Sequence, residues 1–209
     1  MGISFNLIVV IVIVFILQLI IPPLTNQYAF DPAHAFSQPW LFVTSMFLHD
    51  PQDILHILLN CYALFLFGTI LERKVSTTDY LIIYFGAGLL GGLFYYFTYA
   101  VGIIPDIPAI GASGAIYGIL GAVAVLLPDM KLLLFGIIPM TMRTAAIAWF
   151  IMEFIGTFDI SSGIASAAHV GGLVFGFICG WYLKNHGGQL SQQQVYFEEK
   201  PAYAWENEV

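Results

Sequence analysis

The sequence predicts an all-α membrane protein: six transmembrane helices in a bundle, with a membrane-associated first loop. Three observations carry that prediction. Apolar residues collect into long runs, basic residues are confined to alternate connections, and glycines repeat at helical spacing. Of 209 residues, 59% are hydrophobic and 9% charged, where an ordinary soluble chain has about 25% charged residues. Mean hydropathy is +0.86.

The runs place spans at roughly 4–21, 53–71, 78–101, 113–127, 140–155 and 165–183. The first lacks the basic start and small-residue cleavage site of a signal peptide and is read as a helix that stays. The fourth, over 113–127, is short for a hydrocarbon core that needs about 20 helical residues. Its lead-in holds Pro105, Pro108 and Gly111. Irregular backbone at membrane depth requires burial in protein or contact with water. Ser113 is therefore expected to start its helix below the surface, at the floor of a wet depression.

All six basic residues (Arg73, Lys74, Lys131, Arg143, Lys184, Lys200) fall after spans two, four and six or at their edges. The alternate connections 22–52, 102–112 and 156–164 have none. The positive-inside rule then puts both termini in the cytoplasm and opens Ser113 to the outer side of a cell membrane. The long connection 22–52 carries Pro22, Pro23, Pro39, Trp40 and Phe42, a content suited to the membrane interface. Residues 1–184 read as the membrane domain. Residues 185–209, with Glu198, Glu199, Glu206 and Glu208, read as an acidic cytoplasmic tail. The formal charge of −7 leaves no basic patch for nucleic acid. Cys61 and Cys179 lie singly in apolar runs, away from any metal-ligand spacing, and read as packing residues.

Gly114, Gly118 and Gly121 share a face of span four, and Gly172, Gly176 and Gly180 repeat every fourth residue on span six. Such stripes let helix backbones approach closely in lipid. Here they would bring span six against span four, with His169 beside Ser113.

Ionisable and polar groups at this depth need a reason to be there. A serine at a helix start is commonly an N-cap. The same position also has spare main-chain N–H groups and the positive end of the helix nearby, which favour an oxyanion. Gly111 and Gly114 would keep side chains clear of an approaching carbonyl. The motif Gly111-Ala112-Ser113-Gly114 is not the G-x-S-x-G elbow of soluble hydrolases, since residue 115 is alanine. His169, in Ala168-His169-Val170-Gly171-Gly172, enters span six at the matching depth and is a candidate general base. Glu153 and Asp159 are its nearest acids in sequence, but the span boundaries put neither at its depth, so a Ser–His dyad is expected. Tyr117, one turn beyond Ser113, is placed to pack against the imidazole. His56 and Asn60, four apart on span two, are either interhelical hydrogen-bonding groups or donors to an oxyanion, each worth about 2.7–4 kcal/mol. Nucleophile, base and donors together are what peptide hydrolysis requires.

With these motifs in this order, residues 5–184 resemble the rhomboid intramembrane serine protease family. The resemblance implies a six-helix fold that cleaves transmembrane helices near their outer end. Ser113 would be the nucleophile and His169 the base. His56, Asn60 and the Ser113 main-chain N–H would form the oxyanion hole, and Tyr117 would stack on the histidine. It further implies that no metal, ATP or other cofactor is needed, and that substrates are membrane proteins with small residues before the scissile bond and helices that unwind easily. The first loop would be embedded in the bilayer, and span five with the loop before it would be a candidate substrate gate. Two features depart from the pattern: Trp40 is followed by Leu41 where many rhomboids have arginine, and Asp50-Pro51-Gln52-Asp53 lengthens the approach to His56. A monomeric catalytic unit is the default. The competing expectation is a non-catalytic relative that binds transmembrane clients. A transporter or proton relay built on His56 and His169 lacks a paired midplane carboxylate and an internal repeat.

Overall fold

The computed structural model describes residues 2–134, 137–159 and 165–186. The chain opens with α1 (Ile3–Ile20), followed by two short helices, α2 (Pro23–Tyr28) and α3 (Leu41–Thr44), in the first loop. Then α4 (Ile54–Ala63) runs through a π turn, Leu64–Gly68, into α5 (Thr69–Glu72). Next come α6 (Thr77–Ala100), α7 (Ser113–Leu126), strands β1 (Lys131–Leu134) and β2 (Ile138–Thr141), α8 (Met142–Gly156) and α9 (Ser166–His186).

Among the described residues, four helices are long and apolar enough to cross a membrane: α1, the combined helix Ile54–Glu72, α6 and α9. Their outward faces carry large apolar side chains in quantity, among them Ile13, Leu19, Leu59, Phe97 and Ile178, each more than half exposed. On a multi-pass membrane protein these are lipid contacts. The two shorter helices, α7 with 14 residues and α8 with 15, rise only about 21–23 Å at 1.5 Å per residue.

Local sequence sets the boundaries. Asp53 caps α4 by accepting from Leu55 N, Ser76 caps α6 by accepting from Asp79 N, and Thr141 caps α8 by accepting from Thr144 N. The segment before α8 differs from the all-α expectation. Residues 131–134 and 138–141 pair as an antiparallel hairpin, Lys131 opposite Thr141 and Leu134 opposite Ile138. Short apolar runs do not reveal their period, and the hairpin takes up residues 138–141. Consequently α8 starts at Met142, two residues later than expected. The last helix runs past the expected span end at 183: α9 continues to His186, and Asn185 bonds back to the Trp181 carbonyl at 2.8 Å. The acidic tail from residue 187 onward lies outside the described residues.

Helix α7 sits at the centre and is buried nearly all round, from Gly114 to Ala124. Helix α9 lies against it through glycine. A Cβ at Gly172 would overlap the Gly114 carbonyl, and one at Gly176 the Gly118 carbonyl. At Gly180 it would fall 3.0 Å from Ala122. On the neighbouring face, Gly91 of α6 and Gly171 of α9 bring those two backbones together.

The first loop is folded onto the bundle. Phe30 and Ala109 exchange main-chain hydrogen bonds of 2.9 and 2.8 Å, tying it to the segment before α7. Gln18 at the end of α1 holds His49 by two bonds, donating to its carbonyl at 2.8 Å and accepting from its N–H at 3.1 Å. Aromatic pairs, Phe30 with Phe42 at 4.7 Å and Phe36 with Tyr96 at 4.8 Å, close the loop over α6.

Candidate active site

Ser113 is the first residue of α7, with Ala112 in the cap position and no side-chain cap bond. Its hydroxyl is therefore not spent on the helix end. Instead, Oγ lies 2.7 Å from His169 Nε2, which comes from the first turn of α9. The Gly114–Gly172 contact fixes this approach, since it sets the two helix starts side by side. His169 is 7% exposed. Tyr117 lies flat on its ring, centroids 4.4 Å apart and planes 9° from parallel.

His169 has a second neighbour that the span boundaries did not reveal. Glu153 of α8 places Oε2 3.0 Å from His169 Nδ1, and both side chains are under a tenth exposed. The approach is bent and falls short of a straight hydrogen bond. The other carboxylate oxygen, Oε1, accepts from the Tyr117 hydroxyl at 2.5 Å. The expected depth mismatch is thus corrected. Glu153 lies three residues before the end of α8 and His169 three residues after the start of α9, so consecutive helices bring them level. That symmetry, and the fact that Glu153 is the lone acid in its span, were the signals available in the sequence.

On the other side, His56 occupies the first turn of α4. Asp50 donates its main-chain N–H to His56 Nδ1 at 3.3 Å. With Nδ1 accepting, the ring proton belongs on Nε2. That nitrogen lies 2.8 Å from where a Cβ would stand on Gly111, and Ser113 Oγ lies 3.6 Å from the same point. Gly111 adopts φ +130°, a backbone that L side chains rarely take, and its N–H bonds to the Ser45 carbonyl at 3.0 Å. Gly111 is therefore required twice, by its backbone and by the space it leaves. Gly114 differs: a Cβ there would meet ordinary contacts at 3.5 Å or more. What Gly114 supplies is the carbonyl on which Gly172 rests. Asn60, 8% exposed, donates one amide N–H to the His56 carbonyl at 2.8 Å. Its Oδ1 is buried without a partner among the described residues.

His49, treated in the sequence only as a loop end, packs its ring 5.0 Å from His56. Burial, then the neighbouring His56, holds its imidazole far below the usual histidine range, at about 3. A cavity opens beside Ser113, walled by Met46, Gly88, Gly92, Tyr95 and Ala168.

A hydroxyl 2.7 Å from an imidazole nitrogen, with His56 and the main-chain N–H groups of the α7 start close by, is an arrangement that can support nucleophilic attack on a carbonyl. Residues 37–186 match the family model of the Rhomboid domain. Over 162 residues, 73% of this chain and 44% of the relative, the chain is 31% identical to Rhomboid protein 1, mitochondrial, of Saccharomyces cerevisiae. It is 34% identical over 139 residues to Rhomboid protease GluP of Bacillus subtilis, covering 66% of this chain and 25% of the relative. It is also 31% identical over 83 residues to Inactive RHOMBOID-like protein 8 of Arabidopsis thaliana, covering 40% of this chain and 22% of that one. The chain thus spans less than half the length of each of these relatives. A domain match over most of the chain, together with this identity, establishes that the chain belongs to the rhomboid family.

Proposed function

We propose that this protein is an intramembrane serine endopeptidase, hydrolysing peptide bonds in or near the transmembrane helices of other membrane proteins. The observation that carries the reading is the 2.7 Å approach of Ser113 Oγ to His169 Nε2 at the buried start of α7. Ser113 Oγ attacks the scissile carbonyl carbon as His169 Nε2 takes its proton. The resulting oxyanion accepts from the Ser113 main-chain N–H, from His56 Nε2–H and from the second Asn60 amide N–H. Collapse breaks the C–N bond, His169 returns the proton to the leaving amine, and water then hydrolyses the acyl-enzyme by the same steps in reverse order. The glycine and alanine walls beside Ser113 suit a small side chain at the scissile bond.

In this reading α7 and α8 complete a six-span unit within residues 1–184, with 185–209 as a cytoplasmic tail. The short α7 starts below the membrane surface because its lead-in is held by Phe30, Ser45 and the first loop. The charge pattern supports an orientation in a cell membrane with both termini cytoplasmic and the site toward the outer side. The catalytic unit is monomeric and works without metal or cofactor.

The test is cleavage of a single-pass substrate, its helix Ala-rich and destabilised by Gly and Pro, by purified protein in liposomes. Wild type is compared with Ser113→Ala and His169→Ala. Cleavage near the outer membrane boundary, lost in both variants, is the expected result. Wild type that neither cleaves nor reacts with a fluorophosphonate at Ser113 would replace this reading with that of a client-binding relative.

A further inference from the structure

We infer that Glu153 is a positioning residue for His169, extending the Ser–His pair to a three-membered array of carboxylate, imidazole and hydroxyl. This rests on the protease reading and adds the group that sets the state of its base.

A carboxylate is costly at this depth unless it is paired and hydrogen-bonded. Glu153 is 6% exposed on a helix whose neighbouring residues, Ile151, Met152, Phe154 and Ile155, all face outward. It turns inward alone, and each of its oxygens meets a member of the site: Oε2 the imidazole, Oε1 the Tyr117 hydroxyl.

The geometry assigns the histidine tautomer. For Nε2 to accept from Ser113 Oγ–H, the ring proton must reside on Nδ1. An anionic acceptor 3.0 Å from Nδ1 selects that tautomer, orients the ring and stabilises the imidazolium formed when Ser113 gives up its proton. The bend in the contact does not argue against this, because such bonds often straighten only in the substrate complex. Tyr117 then serves on both sides, stacking on the imidazole while its hydroxyl anchors the carboxylate. A carboxylate serving only to join α8 to α9 would not need to meet the one ring nitrogen that Ser113 leaves free.

The experiment compares wild type, Glu153→Gln and Glu153→Asp in the liposome cleavage assay, measuring kcat and KM separately and melting temperature in detergent. Glutamine keeps the size, removes the charge and can offer an N–H where an acceptor is needed. Its kcat should fall by about 10²-fold or more, toward the ~10⁴-fold known when a buried triad acid is neutralised. KM should stay within about threefold and the melting temperature should hold. Aspartate keeps the charge and should give an intermediate kcat. If wild type cleaves and Glu153→Gln keeps its kcat within about threefold, the positioning role is wrong while the protease reading stands. If wild type is inert toward both substrate and fluorophosphonate, the protease reading has failed, and this inference with it. Should Glu153→Gln not fold, Glu153→Asp decides. Lowered kcat at unchanged KM and melting temperature supports the role, and wild-type kcat overturns it.

Discussion

Gly172 of α9 rests on the main-chain carbonyl of Gly114 of α7, so closely that a single Cβ would overlap the oxygen. The contact repeats one turn on, Gly176 against the Gly118 carbonyl. His169 lies three residues before Gly172, and Ser113 one residue before Gly114. The separation of the two backbones therefore sets the separation of base and hydroxyl.

Gly172→Ala and Gly176→Ala should each lower the melting temperature in detergent, since the overlapped atoms are backbone and cannot rotate away. Overpacking of this kind costs about 1–3 kcal/mol. Gly172→Ala, nearer the site, should also cost more activity than Gly176→Ala. Equal activities at equal stability would break the link between helix spacing and the Ser113–His169 distance.

The extent to which the site was legible in the sequence follows from what each residue depends on. The meeting of Ser113 with His169 was readable because their neighbours, the glycines, follow a helical period that puts α7 against α9. Glu153 was missed because assigning depth from span boundaries demands more accuracy than hydropathy gives, and α8 begins later than its apolar run. The hairpin at 131–141 escaped for a related reason: four-residue apolar runs fit strand and helix equally. The ordering of the first loop could not be read at all. It depends on long-range contacts, Gln18 with His49 and Phe30 with Ala109, that no local pattern encodes.

Gly111→Ala should abolish most cleavage with a smaller effect on folding. The residue holds φ +130°, and its added methyl would press on His56 Nε2 at 2.8 Å. Displacing that ring removes an oxyanion donor, and loss of one such donor costs about 10²–10³-fold in kcat. The measurement is kcat in liposomes beside a melting curve. A variant that melts early in proportion to its lost activity would show a structural role only.

Tyr117→Phe keeps the stack on His169 and leaves Glu153 Oε1 without its hydroxyl donor. A hydrogen bond to a charged group contributes about 1.5–3 kcal/mol. Tyr117→Ala loses the stack as well, a further ~0.5–1.5 kcal/mol before the cavity is counted. Stability and kcat should both rank wild type, then Phe, then Ala. A Phe variant indistinguishable from wild type would mean that the hydroxyl contributes nothing to holding the carboxylate.

His49 makes the fold sensitive to acid. The imidazole is fully buried, its ring nitrogens make no well-formed hydrogen bond among the described residues, and burial holds its pKa down at about 3 against an ordinary value of 6.5. Between those two values the unfolded chain takes up a proton that the folded chain refuses. Stability from this group is therefore fully present above about 6.5 and declines as pH falls toward about 3. The limiting slope is ~1.4 kcal/mol per pH unit. Melting temperatures of wild type and His49→Gln, taken from pH 7.5 down to 4.5, isolate this contribution, because the variant retains every other acid and base. Wild type should lose stability faster than the variant below pH ~6.5. Parallel curves would show that His49 is protonated without cost, and that its burial beside His56 is not what keeps the first loop closed on the site.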